Sequence, residues 1–306
     1  MWNYTLRRVL LTLPTLLAVV TVCYLLLHFT PGGPFDSARK IAPDVLANLE
    51  KKYHLGMPLW KQYLYYLNDL LHGQLGMSFR YADWSVNDLV RRALPVSLTI
   101  GGGSMVIAVV GGVAIGMVAG LYRNSPADYA LMLISNTGNV IPSFVIGPVL
   151  ILVFAIKLRW LPAGGWNGDD WRFMVLPITL LALISVATVG RVTRASLIEV
   201  MNAPYIRTAY AKGLPRRTIV LRHALRPTLL PVVSIIGPLA IQSITSAVVT
   251  ETVFSLPGIG KLIVNGAGNR DYTLVLGLVV LVTVVAVFLN LVVDLAYAAL
   301  DPKIRY

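Results

Sequence analysis

Formal charge divides this chain into blocks. No Asp, Glu, Lys or Arg occurs in 9–35, 93–122, 129–156, 173–190, 227–250 or 272–293. These six windows hold 27, 30, 28, 18, 24 and 22 residues. A helix needs about 20 mostly apolar residues to cross the hydrocarbon core of a bilayer. Inside lipid every backbone N–H and C=O must bond within the protein, so only helices and closed barrels span it. Barrel strands alternate apolar and polar residues over about 10 positions, and these windows do not. The pattern predicts an all-α, polytopic membrane protein with six spans, near 9–30, 96–121, 129–157, 173–192, 229–250 and 273–297. Composition agrees, with 56% hydrophobic and 13% charged residues, where soluble domains carry about 25% charged. This balance excludes a disordered chain, a disulfide scaffold and an ordinary cytosolic enzyme.

The first window follows Arg7 and Arg8, as the h-region of a signal peptide would. It is too long for one, and no A-x-A site follows, so an uncleaved span is expected. With the amino terminus inside, the inner segments carry 13 Lys and Arg and the outer segments 13, eight of them in 31–94. Segments longer than about 60 residues largely escape the positive-inside rule. Without that segment the count is 13 inside against 5 outside, which puts both termini in the cytoplasm. The layout is then an N-terminal span in 1–30, an external helical segment in 31–94, and a core in 95–306 with an inner hairpin at 191–227.

Within 31–94, Val45, Leu46, Leu49 and Tyr53 recur at helical spacing. A second amphipathic stretch opens at Pro58 and runs through Trp60, Tyr63, Leu64 and Leu67 to Leu71, ending near Gly73. Two readings stand: a cap that meets a partner, or helices lying in the membrane interface, where Trp and Tyr are at home. The second span carries Ser104, Ala108, Gly112, Gly116 and Gly120, four residues apart. Such a ladder lets helix backbones approach closely in lipid, within the chain or at a seam with a second subunit. The third span holds Asn136, Asn139, Pro142 and Ser143. Pro142 should break the helix, either as a simple kink or beside a water-filled path.

Segment 191–226 holds Arg191, Arg194, Arg207, Lys212, Arg216, Arg217, Arg222 and Arg226 against one acid, Glu199. Pro204 suits a first helical position, and Gly213 suits the left-handed residue after a helix end. A second helix is expected from Leu214-Pro215, ending before Pro227. Anionic lipid would require the basic charge but not this punctuation. The arrangement would present a short rigid helix to a cytoplasmic partner.

Glu251 is an acid at a span boundary and so a functional candidate. The nearby Gly258-x-Gly260-Lys261 lacks the first Gly, the Ser/Thr and the strand of a phosphate loop. No P-loop, nucleophile elbow or zincin motif occurs anywhere. The histidines His28, His54, His72 and His223 are scattered and Cys23 is alone, so no metal site is expected. No aromatic-interleaved basic stripe points to nucleic acid. The spans hold almost no ionisable groups, which argues against a proton- or sodium-coupled carrier.

The run Tyr205-Ile-Arg-Thr-Ala-Tyr-Ala-Lys-Gly-Leu214-Pro, followed by Leu221-Arg-His-Ala-Leu-Arg-Pro227, resembles the cytoplasmic coupling loop of binding-protein-dependent ABC importer permeases. Arg207-Thr208-Ala209 stands where that family commonly has Glu-Ala-Ala, as in its peptide/nickel branch. Leu6-Arg-Arg8, Tyr53-His-Leu55, Ile141-Pro-Ser-Phe144, Arg191-Val-Thr-Arg194, Pro257-Gly-Ile-Gly260, Arg270-Asp-Tyr272 and Asp301-Pro-Lys-Ile-Arg-Tyr306 are similar to the same branch. Gly164-Gly-Trp-Asn-Gly168 and the ending look most like the B-type membrane subunit of oligopeptide importers.

The resemblance implies the type I ABC importer permease architecture. It implies a homologous second permease subunit, two cytoplasmic ABC ATPase subunits and a periplasmic or extracellular peptide-binding protein, besides membrane lipid. This chain would hold no cofactor and catalyse nothing, ATP and Mg being bound by the ATPase partners. Tyr205, Ile206, Arg207, Thr208, Ala209, Lys212, Gly213 and Leu214 would form the ATPase-coupling helix. Asn139, Ser143, Phe144 and Glu251 would line the translocation path, and Gly112, Gly116 and Gly120 would serve helix packing. Dipeptides, glutathione or nickel are alternative cargoes within the family. A stand-alone channel or secondary carrier is the alternative outside it.

Overall fold

A computed structural model describes residues 2–29, 56–81 and 83–300. The recurrence at Val45, Leu46, Leu49 and Tyr53 and the ending 301–306 lie outside them. A helical segment lies in each of the six charge-free windows. The first is α1 (Trp2–Phe29). Helix α2 (Leu59–Leu71) follows the amphipathic stretch, with Pro58 as its N-cap. It lies on the C-terminal half of α1: the Tyr63 and Thr21 hydroxyls bond at 2.6 Å, and the Tyr24 hydroxyl donates to Leu59 O at 3.3 Å.

Helix α3 (Val86–Leu121) is the second span. It begins before the expected 96 because Ser85 caps it. The Ser85 Oγ accepts from Asp88 N at 3.1 Å, as an N-cap does, and donates to the Asp88 carboxylate at 2.5 Å. Asp88, Arg91 and Arg92 cut short the charge-free window, not the helix.

The third span is broken. Helix α4 (Pro126–Val140) stops at Ile141, Pro142 adopts φ −57°, ψ 140°, and α5 (Ser143–Leu150) restarts. A residue before proline is pushed out of the helical region, so the break falls at Ile141. A π-helical turn, Ile151–Lys157, completes the crossing. The fourth span is α6 (Arg172–Met201).

The hairpin contains α7 (Pro204–Ala211) and one turn of α8 (Arg216–Thr218). Here the expected end before Pro227 is corrected. From α8 the chain passes through a π turn (Ile219–Ala224) straight into α9 (Leu225–Val253). Proline lacks an N–H and crowds the carbonyl four residues back. The wider π turn just upstream leaves the helix room to continue. The helix is accordingly continuous from Arg216 to Val253, and its uncharged stretch is 227–250. Helix α10 (Ile259–Gly268) and the last span α11 (Tyr272–Leu300) complete the fold.

The body is built on α3 against α6. A Cβ on Gly112 would lie 2.6 Å from Val189 Cβ, one on Gly116 2.5 Å from Gly190 O, and one on Gly120 2.9 Å from Leu197 Cδ2. The ladder is thus an intrachain seam, with the α6 backbone in the space of a Cβ at Gly116 and the side chains of Val189 and Leu197 in that space at Gly112 and Gly120. Helix α4 joins the same face, where a Cβ on Gly138 would lie 2.6 Å from Leu183 O. Two further cores flank the seam, one around Leu180, Phe254 and Leu256, the other around Val86, Leu274 and Leu278.

Candidate functional site

The basic hairpin is seated on the adjoining ends of α3 and α6. Ile206 (0% exposed) and Ala209 (6%) turn into a core with Leu197, Ile219 and Ala224, bordered by Met117, Leu121 and Leu214. Tyr205, Arg207, Thr208, Tyr210 and Lys212 are exposed. Ile206 and Ala209, grouped by sequence with the partner-facing residues, therefore anchor the helix instead.

The helix ends as its Gly213 required. Gly213 N donates to Tyr210 O at 2.9 Å and Leu214 N to Ala209 O at 3.3 Å. These are the two bonds of a Schellman motif, closed by an apolar residue just past the turn. Gly213 has φ +73° and nothing within 4 Å of an added Cβ. The demand on this position is backbone conformation alone.

Two contacts fix the hairpin to the body. Arg216 Nη2 donates to Leu121 O, at the end of α3, at 2.9 Å. At the other root, Arg194 pairs with Asp128 across α6 and α4, with Asp128 1% exposed. The Arg194 guanidinium, with the Asn124 N–H adding a bond, holds the Asp128 carboxyl below the usual carboxylate range.

The residues assigned to a path are not one cluster. Asn139 lies in the last turn of α4 and Ser143 opens α5 across the break. Phe144 is 62% exposed. Beside the break, Asn136 Oδ1 is buried without a partner among the described residues. Glu251 is different: it is 1% exposed and belongs to the core. Ser97 Oγ donates to its Oε1 at 2.6 Å, Lys261 N to its Oε2 at 2.9 Å, and Ile259 N to Ser97 Oγ at 2.8 Å. A Cβ on Gly258 would overlap the carboxylate. Glu251 and Ser97 thus cap the start of α10.

Sequence reasoning missed a second carboxylate of this kind. Asp271 is fully buried. It accepts from Ser78 Oγ, from Phe79 N at 3.1 Å and Arg80 N at 3.3 Å, and from Leu274 N at 3.2 Å in the first turn of α11. Its signal was an Asp directly before a long apolar helix, but its loop partners lie some 190 positions away. A third group outside the spans is Asp170, which Arg172 pairs at 2.9 Å. No group of side chains suited to a metal occurs among the described residues.

A broken-span helical bundle with a rigid, basic, water-facing hairpin is the membrane component of a transport machine, with no catalytic constellation of its own. The family model for the binding-protein-dependent transport system inner membrane component matches residues 112–306, and the chain belongs to that family. It is a multi-pass inner-membrane permease subunit, and in such importers ATPase subunits, a substrate-binding protein and a second permease complete the machine. The chain is 50% identical over 306 residues to the oligopeptide transport system permease protein OppB of Escherichia coli K12, covering 100% of both. It is 39% identical to the dipeptide transport system permease protein DppB of Bacillus subtilis, over 100% of this chain and 98% of that one. It is 36% identical to the glutathione transport system permease protein GsiC of an Escherichia coli O6:H1 strain, covering 100% of both. Among solved structures, an inward-facing MetNI methionine ABC transporter matches with a TM-score of 0.60 at 17% identity, over 70% of this chain and 96% of that one. That likeness concerns the fold.

Proposed function

We propose that this chain forms half of the translocation path of an ATP-driven importer of oligopeptides and transmits the motion of cytoplasmic ATPases to it. The full-length identity of 50% to an oligopeptide permease, above that to the dipeptide and glutathione relatives, supports the cargo class. The hairpin lies on the cytoplasmic side, as do both termini, and 31–94 on the outside.

The observation that carries the coupling role is the seating of α7. Its apolar face is locked to the span ends while Tyr205, Arg207, Thr208 and Lys212 stay in water. Force on the exposed face passes to α6 through Leu197, and to α9 through the unbroken helix from Arg216. A lever of this kind biases two arrangements of the spans. The break at Ile141–Pro142, with Asn139, Ser143 and Phe144 around it, is the place where the path opens.

The test uses two substitutions at Gly213 in the reconstituted complex. Valine at φ +73° is strained, whereas asparagine tolerates the left-handed region. Peptide-stimulated ATP hydrolysis and uptake should fall in Gly213→Val and persist in Gly213→Asn. Equal activity of both removes the lever.

A further inference from the structure

One cavity stands apart from the break and the hairpin. It lies where the end of α1, the inner face of α2, residues 74–79 and the start of α11 meet, on the side of the membrane opposite the hairpin. Its volume is about 500 Å³, within the usual range for small-ligand sites.

Its wall is aromatic. Tyr24 stacks on His28 with ring centroids 4.0 Å apart and faces Tyr66 at 6.3 Å. The His28 ring is 6.2 Å from that of Tyr272, and Tyr65 completes the lining. Asp69 is the one Asp, Glu, Lys or Arg among the described lining residues. The Tyr66 phenol oxygen is buried at this wall with no partner among the described residues.

We infer that this cavity is a binding site for a primary ammonium group. Ring faces attract cations through the aromatic quadrupole, and aromatic cages are how proteins hold substituted ammonium ions. Asp69 adds a full negative charge on the same wall, and no Lys or Arg among the described lining residues offsets it. To a carboxylate or phosphate the described lining offers no Lys or Arg, only amide and hydroxyl groups and the His28 ring. At this level of the membrane two sources carry such a group: the ethanolamine headgroup of a phospholipid, and the amino terminus of a peptide.

The experiment uses the full-length chain in its purified transport complex and has two arms. The first extracts it from membranes of equal phosphatidylethanolamine and phosphatidylglycerol and measures retained lipid by native mass spectrometry. The second measures equilibrium binding of trialanine and of N-acetyl-trialanine. The amine-bearing probe should be preferred in at least one arm. That preference should fall about fivefold in Asp69→Asn and in Tyr24→Leu, and return in Asp69→Glu. A preference in the lipid arm alone assigns the headgroup, and one in the peptide arm alone assigns the amino terminus. No preference in either arm, or one that survives Asp69→Asn, overturns the site. Unfolding midpoints of the variants, read in parallel, must stay at the wild-type value for a lost preference to count, and Asp69→Asn, nearly isosteric at a half-buried position, supplies that comparison if Tyr24→Leu does not fold. Uptake assays on the same preparations separate failure of this site from failure of the importer reading.

Discussion

Arg194 holds Asp128 through two bonds of 2.6 Å each, Nε to Oδ1 and Nη2 to Oδ2. The pair clamps the start of the broken third span to α6 about two turns before that helix ends. Removing one member of a buried pair strands the other and typically costs about 3–5 kcal/mol. Arg194 is 28% exposed, so Arg194→Ala should lie at the lower end, about 3 kcal/mol, read as a lower unfolding midpoint in detergent. Arg194→Lys keeps the charge but not the fork, and should fall between. The pH dependence has a definite sign. The folded carboxyl is held below its unfolded value of about 4, so the pair's contribution is complete above pH 4. It is lost as pH falls further, through the lower folded value. Acid destabilisation below pH 4 should be shallower in Asp128→Asn, which has already lost it.

The seam between α3 and α6 gives a sharper steric prediction. At Gly116 an added Cβ meets Gly190 O and Thr193 Cβ, both at 2.5 Å. Backbone cannot move aside as a side chain can. Gly116→Ala should lower stability by about 1–3 kcal/mol, and Gly116→Leu should prevent accumulation of folded protein. Val110, 66% exposed on the same helix, should accept alanine with an unchanged midpoint. Comparable losses at both positions would show that the ladder is not what joins these helices.

How much of this was legible follows from the range over which each residue acts. Lipid imposes its condition on every residue of a span, so each uncharged window holds a helical segment, four of them in helices long and apolar enough to cross a membrane. Gly213 and Pro142 act on their own backbone, and the turn and break stand where the sequence put them. The start of α3 was misplaced because Asp88, Arg91 and Arg92 are permitted in a helix that has left the hydrocarbon. Continuity through Pro227 was missed because it depends on a π turn that no residue type announces. The hydrogen-bond partners of Glu251 were hidden for a different reason. Its partner Ser97 is 154 positions away, and only the folded chain shows that this acid is satisfied internally. Ile206 differed from its neighbours in one respect visible beforehand, being a β-branched apolar residue in a polar helix.

Glu251 should then behave as a cap and not as a path residue. Glu251→Gln keeps an acceptor for Ser97 Oγ and Lys261 N, whereas Glu251→Ala leaves buried donors unmet, at about 1–3 kcal/mol each. Gly258→Ala should copy the defect by expelling the carboxylate. The readout is amide exchange at Ile259 and Lys261, whose N–H groups these bonds hold, which should speed up in the alanine variants and stay slow with glutamine. Unchanged exchange in Glu251→Ala would show that Glu251 is not a cap.

Ile206 separates anchoring from contact within α7. Truncating a fully buried isoleucine to alanine costs about 2–5 kcal/mol where the cavity cannot collapse. The cost falls on the local seat of α7, since Leu197, Ile219 and Ala224 also pack on one another. Ile206→Ala should therefore raise amide exchange across 204–214 with little change in the spans, and uncouple ATP hydrolysis from uptake. Thr208→Ala, on the water-facing side, removes only a 3.2 Å bond to Pro204 O. It should leave exchange unchanged, so any effect it has on uptake reports contact with the ATPase alone. Identical exchange in the two variants would mean that Ile206 carries no load in seating the helix.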